Sequence, residues 1–426
     1  MNAAVPSTLL APVAPGERLQ VLDILRGFAL LGILLMNIEA FVGPMYAAAT
    51  GLNPALTGAD RFADALIYIL VQGKFWCLFS LLFGMGFAVM SQRAAASGRP
   101  FAGVYWRRGL ALLGIGVAHA LLVWSGDILT TYALVSFALL AFRDVNGRWL
   151  LGVAVLAFLA PLALMLTVGL LGTFMQSTPE LAAQWQAAMQ PAAMADMAQA
   201  QREAYGAGSY VQATVQRARD FGYGLANLMV LGPMVLSMFL FGAWLVKSGA
   251  MSAPGEAGRL FMRLRWIALP VGLALVLLSF ALRPELDPGS LDFGFGVAFC
   301  LGMLGSALMC SGYLGWIVRG TQVRATQRAL GWLAPAGRMA LTNYLTQSVV
   351  CTLVFYGYGL GYFEQLSRAW QVPFVLLLFA AQVIFSRWWL QRYRFGPMEW
   401  VWRSLTYLKA QPMRVMHREP ALAALQ

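Results

Sequence analysis

The sequence has little charge for its length. Charged residues make up 11% of the 426 residues, whereas hydrophobic residues make up 60%. A soluble protein of this length needs far more charge to cover its surface. The composition therefore excludes an ordinary soluble globular protein and indicates a chain that exposes apolar residues to lipid.

Histidine and cysteine, which often bind metals, are scarce. The chain has two histidines and four cysteines, and the cysteines lie in apolar stretches without CxxC spacing or a neighbouring histidine. We therefore expect no metal site and no disulfide, and we interpret the cysteines as small packing residues. No motif for nucleotide binding or for a Ser/His/Asp triad occurs in a suitable context.

Long apolar runs, by contrast, are abundant. A helix needs about 20 predominantly apolar residues to cross the hydrocarbon core of a membrane. The sequence predicts an all-α fold, a polytopic transmembrane helical bundle of about ten spans. The predicted spans are Val21–Phe41, Ala63–Met90, Gly109–Trp124, Ile128–Phe142, Leu150–Leu171, Leu225–Val246, Trp266–Leu282, Phe293–Val318, Leu341–Tyr358 and Val372–Leu390.

Two of these spans have unusual lengths. The second is longer than the core requires and contains Gln72-Gly73-Lys74, so residues 61–73 are alternatively a tilted or interfacial helix before the true span. The third and fourth are short. They are joined by Ser125-Gly126-Asp127 and are predicted to form a helical hairpin.

Positive charges predict how the bundle is oriented. Of the 30 lysines and arginines, 23 fall on the side that holds both chain ends, six on the other side, and Lys74 inside a span. Cytoplasmic loops carry the excess of Lys and Arg, so both termini are predicted to be cytoplasmic. The net charge of +12 is thus assigned to topology, and no nucleic-acid partner is expected. The predicted regions are a cytoplasmic tail (1–20), transmembrane helices 1–5 (21–171), an extracytoplasmic segment (172–224), transmembrane helices 6–10 (225–390), and an interfacial helix with a cytoplasmic tail (391–426).

Two segments outside the predicted spans have helical patterns. Residues 172–224 are rich in Ala and Gln and predict one or two amphipathic helices, which form either a solvated cap or a lid over an external site. After the last span, Pro397 suits the first turn of a helix, and apolar residues including Trp402 recur on one face. This pattern predicts a C-terminal interfacial helix anchored by tryptophan.

Polar and ionisable residues inside spans are costly in lipid, so each is a candidate site residue. In the first span, Asp23 and Arg26 are three residues apart and share a helix face. Asn37 follows Arg26 by eleven residues and lies on the same stripe, about 16 Å away. The stripe either lines a cavity or consists of an ion pair near the headgroups and an amide that bonds a neighbouring helix.

His119 is the histidine that falls within a predicted span, and an imidazole suits general-base work near neutral pH. The alternative is a neutral hydrogen bond between helices. Asp127 either orients the imidazole or caps the following helix. Lys74 has no acid nearby in the sequence and is expected to snorkel, or to pair with Asp23 or Asp127 across helices.

The ninth predicted span begins with a polar cluster. Its amides are four residues apart on one helix face, where such groups either hold helices together or bind a substrate. The candidates for catalysis are His119 and Asp127. The candidates for substrate binding are Asp23, Arg26, Asn37, Lys74, Asn343, Tyr344 and Gln347.

Five runs carry a family resemblance. They are Leu22–Ile38 with its Asp-Ile-Leu-Arg-Gly sequence, Lys74–Gly86, His119–Leu129, Gly337–Tyr344 and Arg394–Trp400. Together, and over nearly the whole chain, they resemble the YeiB-like family of bacterial inner-membrane proteins. That family looks like a distant branch of the transmembrane acyltransferase superfamily.

The resemblance implies an inner-membrane location and an activity. Members of the superfamily move an acyl group from a cytoplasmic acyl-CoA to a sugar or another acceptor across the membrane. Acyl-CoA would then be a co-substrate, with no resident cofactor. Asp23 and Arg26 match the superfamily's opening Asp-x-x-Arg-Gly pattern. Asn37 stands where the O-acyltransferase branch has its catalytic histidine, and His119 is the candidate that replaces it from another helix.

Three functions compete. In a membrane acyltransferase, His119 would deprotonate an acceptor hydroxyl, Asp127 would orient the imidazole, and Arg26 with Lys74 would hold the anionic donor. In a transporter or flippase, the same charges would line a path for a small anionic or lipid-linked molecule. In a non-catalytic membrane protein they would hold helices together. The expected partners are the lipid bilayer and a small-molecule or glycan substrate.

Overall fold

A computed structural model describes residues 20–48, 50–189, 191–286 and 291–415. The predicted all-α fold is confirmed, because the β-type pairing in these ranges is limited to two isolated bridges, Gly51 with Glu285 and Tyr393 with Arg414. Seven helices in the described ranges are long and apolar enough to cross a membrane. The chain is therefore a multi-pass membrane protein. Nearly all of the predicted N-terminal tail, and the second histidine, His417, lie outside the described residues.

The helices follow one another with short connections. They are α1 (Gln20–Val42), α2 (Gly58–Leu70), α3 (Lys74–Ala96), α4 (Ala102–Leu122), α5 (Leu129–Ala138), α6 (Gly147–Met175), α7 (Pro179–Met189), α8 (Pro191–Gln201), α9 (Tyr210–Ala226), α10 (Leu228–Lys247), α11 (Gly258–Arg263), α12 (Leu269–Leu282), α13 (Phe293–Gly320), α14 (Arg324–Gly331), α15 (Ala334–Arg338), α16 (Ala340–Phe355), α17 (Arg368–Leu390) and α18 (Pro397–Tyr407). A π-helical turn, Leu264–Ala268, joins α11 to α12, so these two run on as one rod.

Most predicted spans coincide with these long apolar helices. Seven of the ten fall on α1, α2 with α3, α6, α10, α11 with α12, α13 and α17. The other three fall on α4 and on two shorter apolar helices, Leu129–Phe142 and Ala340–Phe355. The predicted hairpin forms between α4 and α5.

The second predicted span is broken, as its alternative interpretation expected. Helix α2 ends at Leu70 and α3 begins at Lys74, with Gly73 at a φ of 84° between them. A left-handed backbone is strained for residues other than glycine. A Cβ at Gly73 would also lie 2.7 Å from the Ser306 hydroxyl. The break places Lys74 on the first turn of a new helix.

Helix α1 lies at the centre and packs against α3, α15, α16 and α17. Its contact with α15 depends on two glycines. A Cβ at Gly27 would lie 2.2 Å from the Leu333 carbonyl oxygen, and one at Gly337 would lie 1.8 Å from that of Asp23. Small residues allow such close backbone approach in membrane bundles. Side chains next to these glycines are thereby brought together.

The segment predicted to be extracytoplasmic is helical and docks on the α4–α5 hairpin. Arg217 of α9 is fully buried, and its Nε donates to the Leu121 carbonyl at 2.9 Å. Asp220 accepts hydrogen bonds from Gln201 at 2.8 Å and from Tyr205 at 2.5 Å. Burial and the neighbouring Asp220 charge raise the pKa of Tyr205, so its hydroxyl stays a donor. Helix α9 is thus fixed to the C-terminal end of α4.

The predicted C-terminal helix forms as α18, but part of its apolar face packs on protein. Trp402 donates from Nε1 to the Arg108 carbonyl at 2.9 Å, and Arg107 donates to the Thr406 carbonyl at 3.1 Å. Leu405 and Leu408 remain exposed. Helix α18 therefore covers α4 on one side and presents apolar residues outward on the other.

Candidate functional site

A cavity of about 290 Å³ lies among α1, α3, α4, α5, α15, α16 and α18, and we call it the arginine cavity. Two carboxylates, Asp23 and Glu399, also face it. Aromatic side chains of α3 and α5 form an apolar wall. The arginines that line it are Arg26, Arg93, Arg108, Arg338 and Arg403.

Three of these guanidinium groups have distinct surroundings. Arg26 donates to Asp23 at 2.9 Å, so the predicted pair on α1 forms. Arg108 stacks over Trp402 of α18, with Cζ 3.7 Å from the ring centroid. The buried Nε of Arg338 has no hydrogen-bond partner within the described ranges. A buried donor without a partner is costly, which favours a ligand acceptor at this position.

The carboxylate of Glu399 connects α18 to the start of α16. It accepts hydrogen bonds from the backbone N–H of Leu341 at 2.6 Å and from that of Thr342 at 3.2 Å. It also accepts one from the Thr342 hydroxyl at 2.6 Å. A carboxylate at a helix N-terminus satisfies N–H groups that have no partner within the helix. Burial nevertheless raises the pKa of Glu399, although these hydrogen bonds oppose the rise.

The charged residues that line the arginine cavity determine which ligands suit it. Five arginines face two carboxylates, and both carboxylates are already hydrogen-bonded. Arginine presents a planar fork of donors that matches phosphate and carboxylate geometry. The cavity therefore suits a ligand with several negative charges and an apolar part that packs on the aromatic wall.

A second cavity, of about 350 Å³, lies among α1, the α2–α3 junction, α12 and α13, and we call it the Lys74 cavity. Lys74 is 2% exposed, and its Nζ donates to the Tyr68 carbonyl at 2.9 Å. Asn37 and Gln72 line the same cavity. Among its described lining residues none is acidic.

The sequence allowed Lys74 to pair with an acid across helices and to share one anion site with Arg26, and neither arrangement forms. Lys74 pairs with neither Asp23 nor Asp127, because it starts α3 and turns back to a carbonyl in the last turn of α2. It therefore does not join Arg26 in one anion site. Arg26 and Asn37 do share a stripe of α1, but they line different cavities because the stripe runs from one cavity to the other.

The two cavities meet at a thin wall. Ile33 of α1 and Ile128, at the start of α5, line both of them. Along α1, Arg26 precedes Ile33 and Asn37 follows it. Along α3 the order is reversed, from Lys74 to Arg93. The cavities therefore lie at opposite ends of these helices, on opposite sides of the wall.

A buried His–Asp pair adjoins this wall. The Nδ1 of His119 lies 2.9 Å from Oδ1 of Asp127, and both side chains are almost fully buried. The Oδ2 of Asp127 accepts from the backbone N–H of Thr130 at 2.7 Å, so Asp127 both orients the imidazole and caps α5. A carboxylate on Nδ1 places the proton there and leaves Nε2 with its lone pair. In the described part of the chain, Nε2 has no hydrogen-bond partner.

Tyr344 connects the pair to the arginine cavity. Its ring centroid lies 5.3 Å from that of His119, and its hydroxyl accepts from the Ile128 N–H at 3.4 Å. Tyr344 lines the arginine cavity, whereas His119 and Asp127 line neither cavity. Tyr344 therefore contacts both the His119 ring and the arginine cavity.

The other polar residues of α16 contact neighbouring helices. Asn343 donates to the Ala336 carbonyl at 3.1 Å and to the Ser386 hydroxyl at 3.0 Å. Gln347 donates to Gln382 at 3.0 Å. Neither lines the arginine cavity or the Lys74 cavity. These amides connect α16 to α15 and α17.

Sequence reasoning missed four cavity residues, Arg93, Arg108, Arg338 and Arg403. Each was counted among the positive charges outside the predicted spans, and none was singled out as a site residue. One signal was available for Arg338, because it follows Gly337 in one of the runs that carry the family resemblance. The close contact of Gly337 with α1 brings Arg338 beside Asp23.

Comparisons with known proteins relate the chain to a described family and to two bacterial proteins. A family described as "Protein of unknown function (DUF418)" matches residues 245–409. The chain is 36% identical to "Uncharacterized protein YxaH" of Bacillus subtilis (strain 168), over 95% of this chain and 98% of that protein. It is 34% identical to "Uncharacterized protein YeiB" of Escherichia coli (strain K12), over 93% of this chain and 98% of that one. Both likenesses extend over nearly the full length of the chains.

Proposed function

The chain belongs to the YeiB-like family of bacterial proteins, and from its two cavities we propose that it transfers an acyl group across the membrane, from acyl-CoA to an envelope acceptor. The observation that carries the proposal is the wall that the two cavities share at Ile33 and Ile128. Ile128 follows Asp127 of the buried His–Asp pair in the sequence. Substrates from two compartments need this arrangement, because each approaches the reaction centre from its own side.

The arginine cavity is the donor site in this proposal. By the distribution of positive charge it faces the cytoplasm, where acyl-CoA is found. Arg26, Arg108 and Arg338 offer guanidinium donors to its phosphates. The aromatic wall receives the thioester end. At about 290 Å³ the cavity is smaller than a whole coenzyme A, so part of the nucleotide stays outside.

The acceptor enters from the Lys74 cavity, and His119 acts as general base. Nε2 takes the proton from an acceptor hydroxyl, and the hydroxyl oxygen forms a bond to the thioester carbonyl carbon. The C–S bond then breaks, and the departing CoA thiolate takes the proton from the imidazolium. Asp127 holds the Nδ1 proton throughout and stabilises the imidazolium. His119 lines neither cavity, so a side-chain movement must expose Nε2 for this step.

Radiolabelled acetyl-CoA and an envelope-glycan extract test the proposal with the full chain in lipid nanodiscs. The wild-type protein should transfer label to an acceptor in the extract. General-base catalysis contributes about two to four orders of magnitude, so His119→Gln should lower the transfer rate by that amount. His417→Gln is the matched control and should retain the wild-type rate. Equal rates in His119→Gln and the wild type would exclude the assigned role.

The same wall supports a second function, transport of an anionic molecule. Two cavities on opposite sides of a thin wall are also what alternating access requires. Uptake of an anionic metabolite into proteoliposomes without any acyl donor would favour this function. Label transfer that depends on His119, without uptake, would favour acyl transfer.

A further inference from the structure

The Lys74 cavity contains a buried lysine that has no acidic partner within the described ranges. Lys74 is 2% exposed, and its recorded hydrogen bond goes to one backbone carbonyl, that of Tyr68. No salt bridge to Lys74 occurs within the described ranges of the chain. An ammonium group has three donors, and burying it without a partner is costly. Two donors are thus left for a ligand that enters the cavity.

Nearby carboxylates are committed elsewhere. Glu39 accepts a hydrogen bond from the Tyr68 hydroxyl at 3.0 Å and pairs with Arg368 at 3.2 Å. Asp64 also pairs with Arg368, at 2.8 Å. Arg368 is buried, so removing either acid from it would leave an uncompensated charge. These acids therefore stabilise Arg368, and within the described ranges they leave Lys74 open to an anionic ligand.

The rest of the lining sets the character of that partner. The side-chain amides of Asn37 and Gln72 add hydrogen-bonding capacity. Ile33, Trp76 and Phe280 make the remaining wall largely apolar. A single cation in such a wall compensates one negative charge, whereas several charges would stay uncompensated.

We propose that the Lys74 cavity binds a small amphipathic monocarboxylate. The carboxylate accepts hydrogen bonds from Lys74 Nζ, and the apolar part packs against Trp76 and Phe280. Binding itself does not depend on acyl transfer. Only the further step, in which a hydroxylated member of this class is the acyl acceptor, rests on the proposed function.

Calorimetric titration of octanoate and octanol into the full chain in nanodiscs, without any CoA compound, tests the inference. The two probes share a chain and differ in charge, and empty nanodiscs correct for partition into lipid. A hydrogen bond to a charged group contributes about 1.5–3 kcal/mol, so octanoate should bind the wild type at least about tenfold more tightly than octanol. Lys74→Met should abolish this preference, and Lys409→Met, which changes an exposed lysine, should keep it.

Each outcome decides the matter. Equal affinity of the wild type for the two probes would overturn the inference, and so would an unchanged octanoate preference in Lys74→Met. If Lys74→Met fails to fold, the wild-type comparison alone still decides. A protein that binds octanoate but transfers no label would refute the proposed function and support the carboxylate site. A protein that transfers label but does not prefer octanoate would support the proposed function and refute the carboxylate site.

Discussion

The arginine cavity and the Lys74 cavity are similar in volume, about 290 and 350 Å³, and very different in charge. The first gathers five arginines and two carboxylates from five helices. The second has one lysine and no acidic residue among its described lining. The difference matches a polyanion on one side of the wall and a monoanion on the other.

The two cavities also hold their charges by different means. Arg108 is held by an aromatic ring and Arg26 by a carboxylate, so these cations have side-chain partners. Lys74 instead donates to Tyr68, one of the carbonyls in the last turn of α2. Such carbonyls have no partner within the helix and carry the negative end of its dipole. A helix break thus stabilises a lysine that no side-chain acid of the described residues neutralises.

The largest expected effect follows the removal of two arginines, which should weaken ligand binding in the arginine cavity and not in the Lys74 cavity. Arg108→Met combined with Arg338→Met should weaken binding of coenzyme A by about a hundredfold or more, because two charge-assisted hydrogen bonds are lost. Octanoate binding should stay within about twofold of the wild type. Calorimetry measures both. The matched control is Arg324→Met with Arg328→Met, two exposed arginines of α14, which should bind coenzyme A normally. Equal losses of coenzyme A affinity in the two double variants would mean that the total charge of the protein, and not the arginine cavity, determines binding.

Ionic strength sharpens the same contrast. Raising NaCl from about 50 to about 500 mM should weaken coenzyme A binding about tenfold, because several charge pairs near water are screened. Octanoate affinity should fall by less than about threefold, since a buried pair is screened much less. Titrations at both NaCl concentrations measure how the affinity for each ligand depends on salt. An equal salt dependence of the two affinities would contradict the proposed difference in charge between the two cavities.

A smaller effect should arise from a residue that lines neither cavity. Arg217→Met removes the hydrogen bond to the Leu121 carbonyl at the end of α4, two residues after His119. Label transfer should fall about tenfold as the His119 turn loosens, while the affinities for both ligands stay unchanged. Arg219→Met, an exposed neighbour on α9, is the control and should behave as the wild type. A changed affinity for either ligand would mean that α9 acts on a cavity and not on the turn.

The smallest effect is a pH dependence of stability. Burial raises the pKa of Glu399 above its ordinary value, so the folded protein holds the Glu399 proton more tightly than the unfolded chain does. Stability is therefore greatest at low pH and falls as pH rises through the raised pKa. As the pH rises from the ordinary Glu pKa of 4.5 through the raised pKa, the melting temperature of the wild type should fall by a few degrees, and Glu399→Gln should flatten this dependence. Glu256→Gln, an exposed control, should keep the slope. A melting temperature that rises over this range would refute the assignment.

Much of the fold could be predicted from the sequence, because the hydrocarbon core dictates helix length and composition. Spacing alone predicted the Asp23–Arg26 pair, and the hairpin predicted that Asp127 meets His119. The break before Lys74 was visible as Gln72-Gly73, although the direction of the lysine was not. That direction depends on which carbonyls α2 leaves without partners, a property of the folded helix.

The arginine cavity could not be predicted, because its residues come from distant parts of the chain. Arg26 and Arg338 are brought together by Gly27 and Gly337, whose backbones nearly touch neighbouring carbonyls. Helical periodicity describes one helix at a time and contains no information on such crossings. The sequence therefore showed which residues are costly in lipid, but not which of them share a cavity.

The central claim is that two ligands of different charge occupy the two cavities at once. A cryo-electron microscopy map of the protein in nanodiscs with coenzyme A and octanoate tests it most directly. We expect phosphate density among Arg26, Arg108 and Arg338, and separate carboxylate density at Lys74 Nζ. Coenzyme A density beside Lys74, or both ligands on one side of Ile33 and Ile128, would contradict the account.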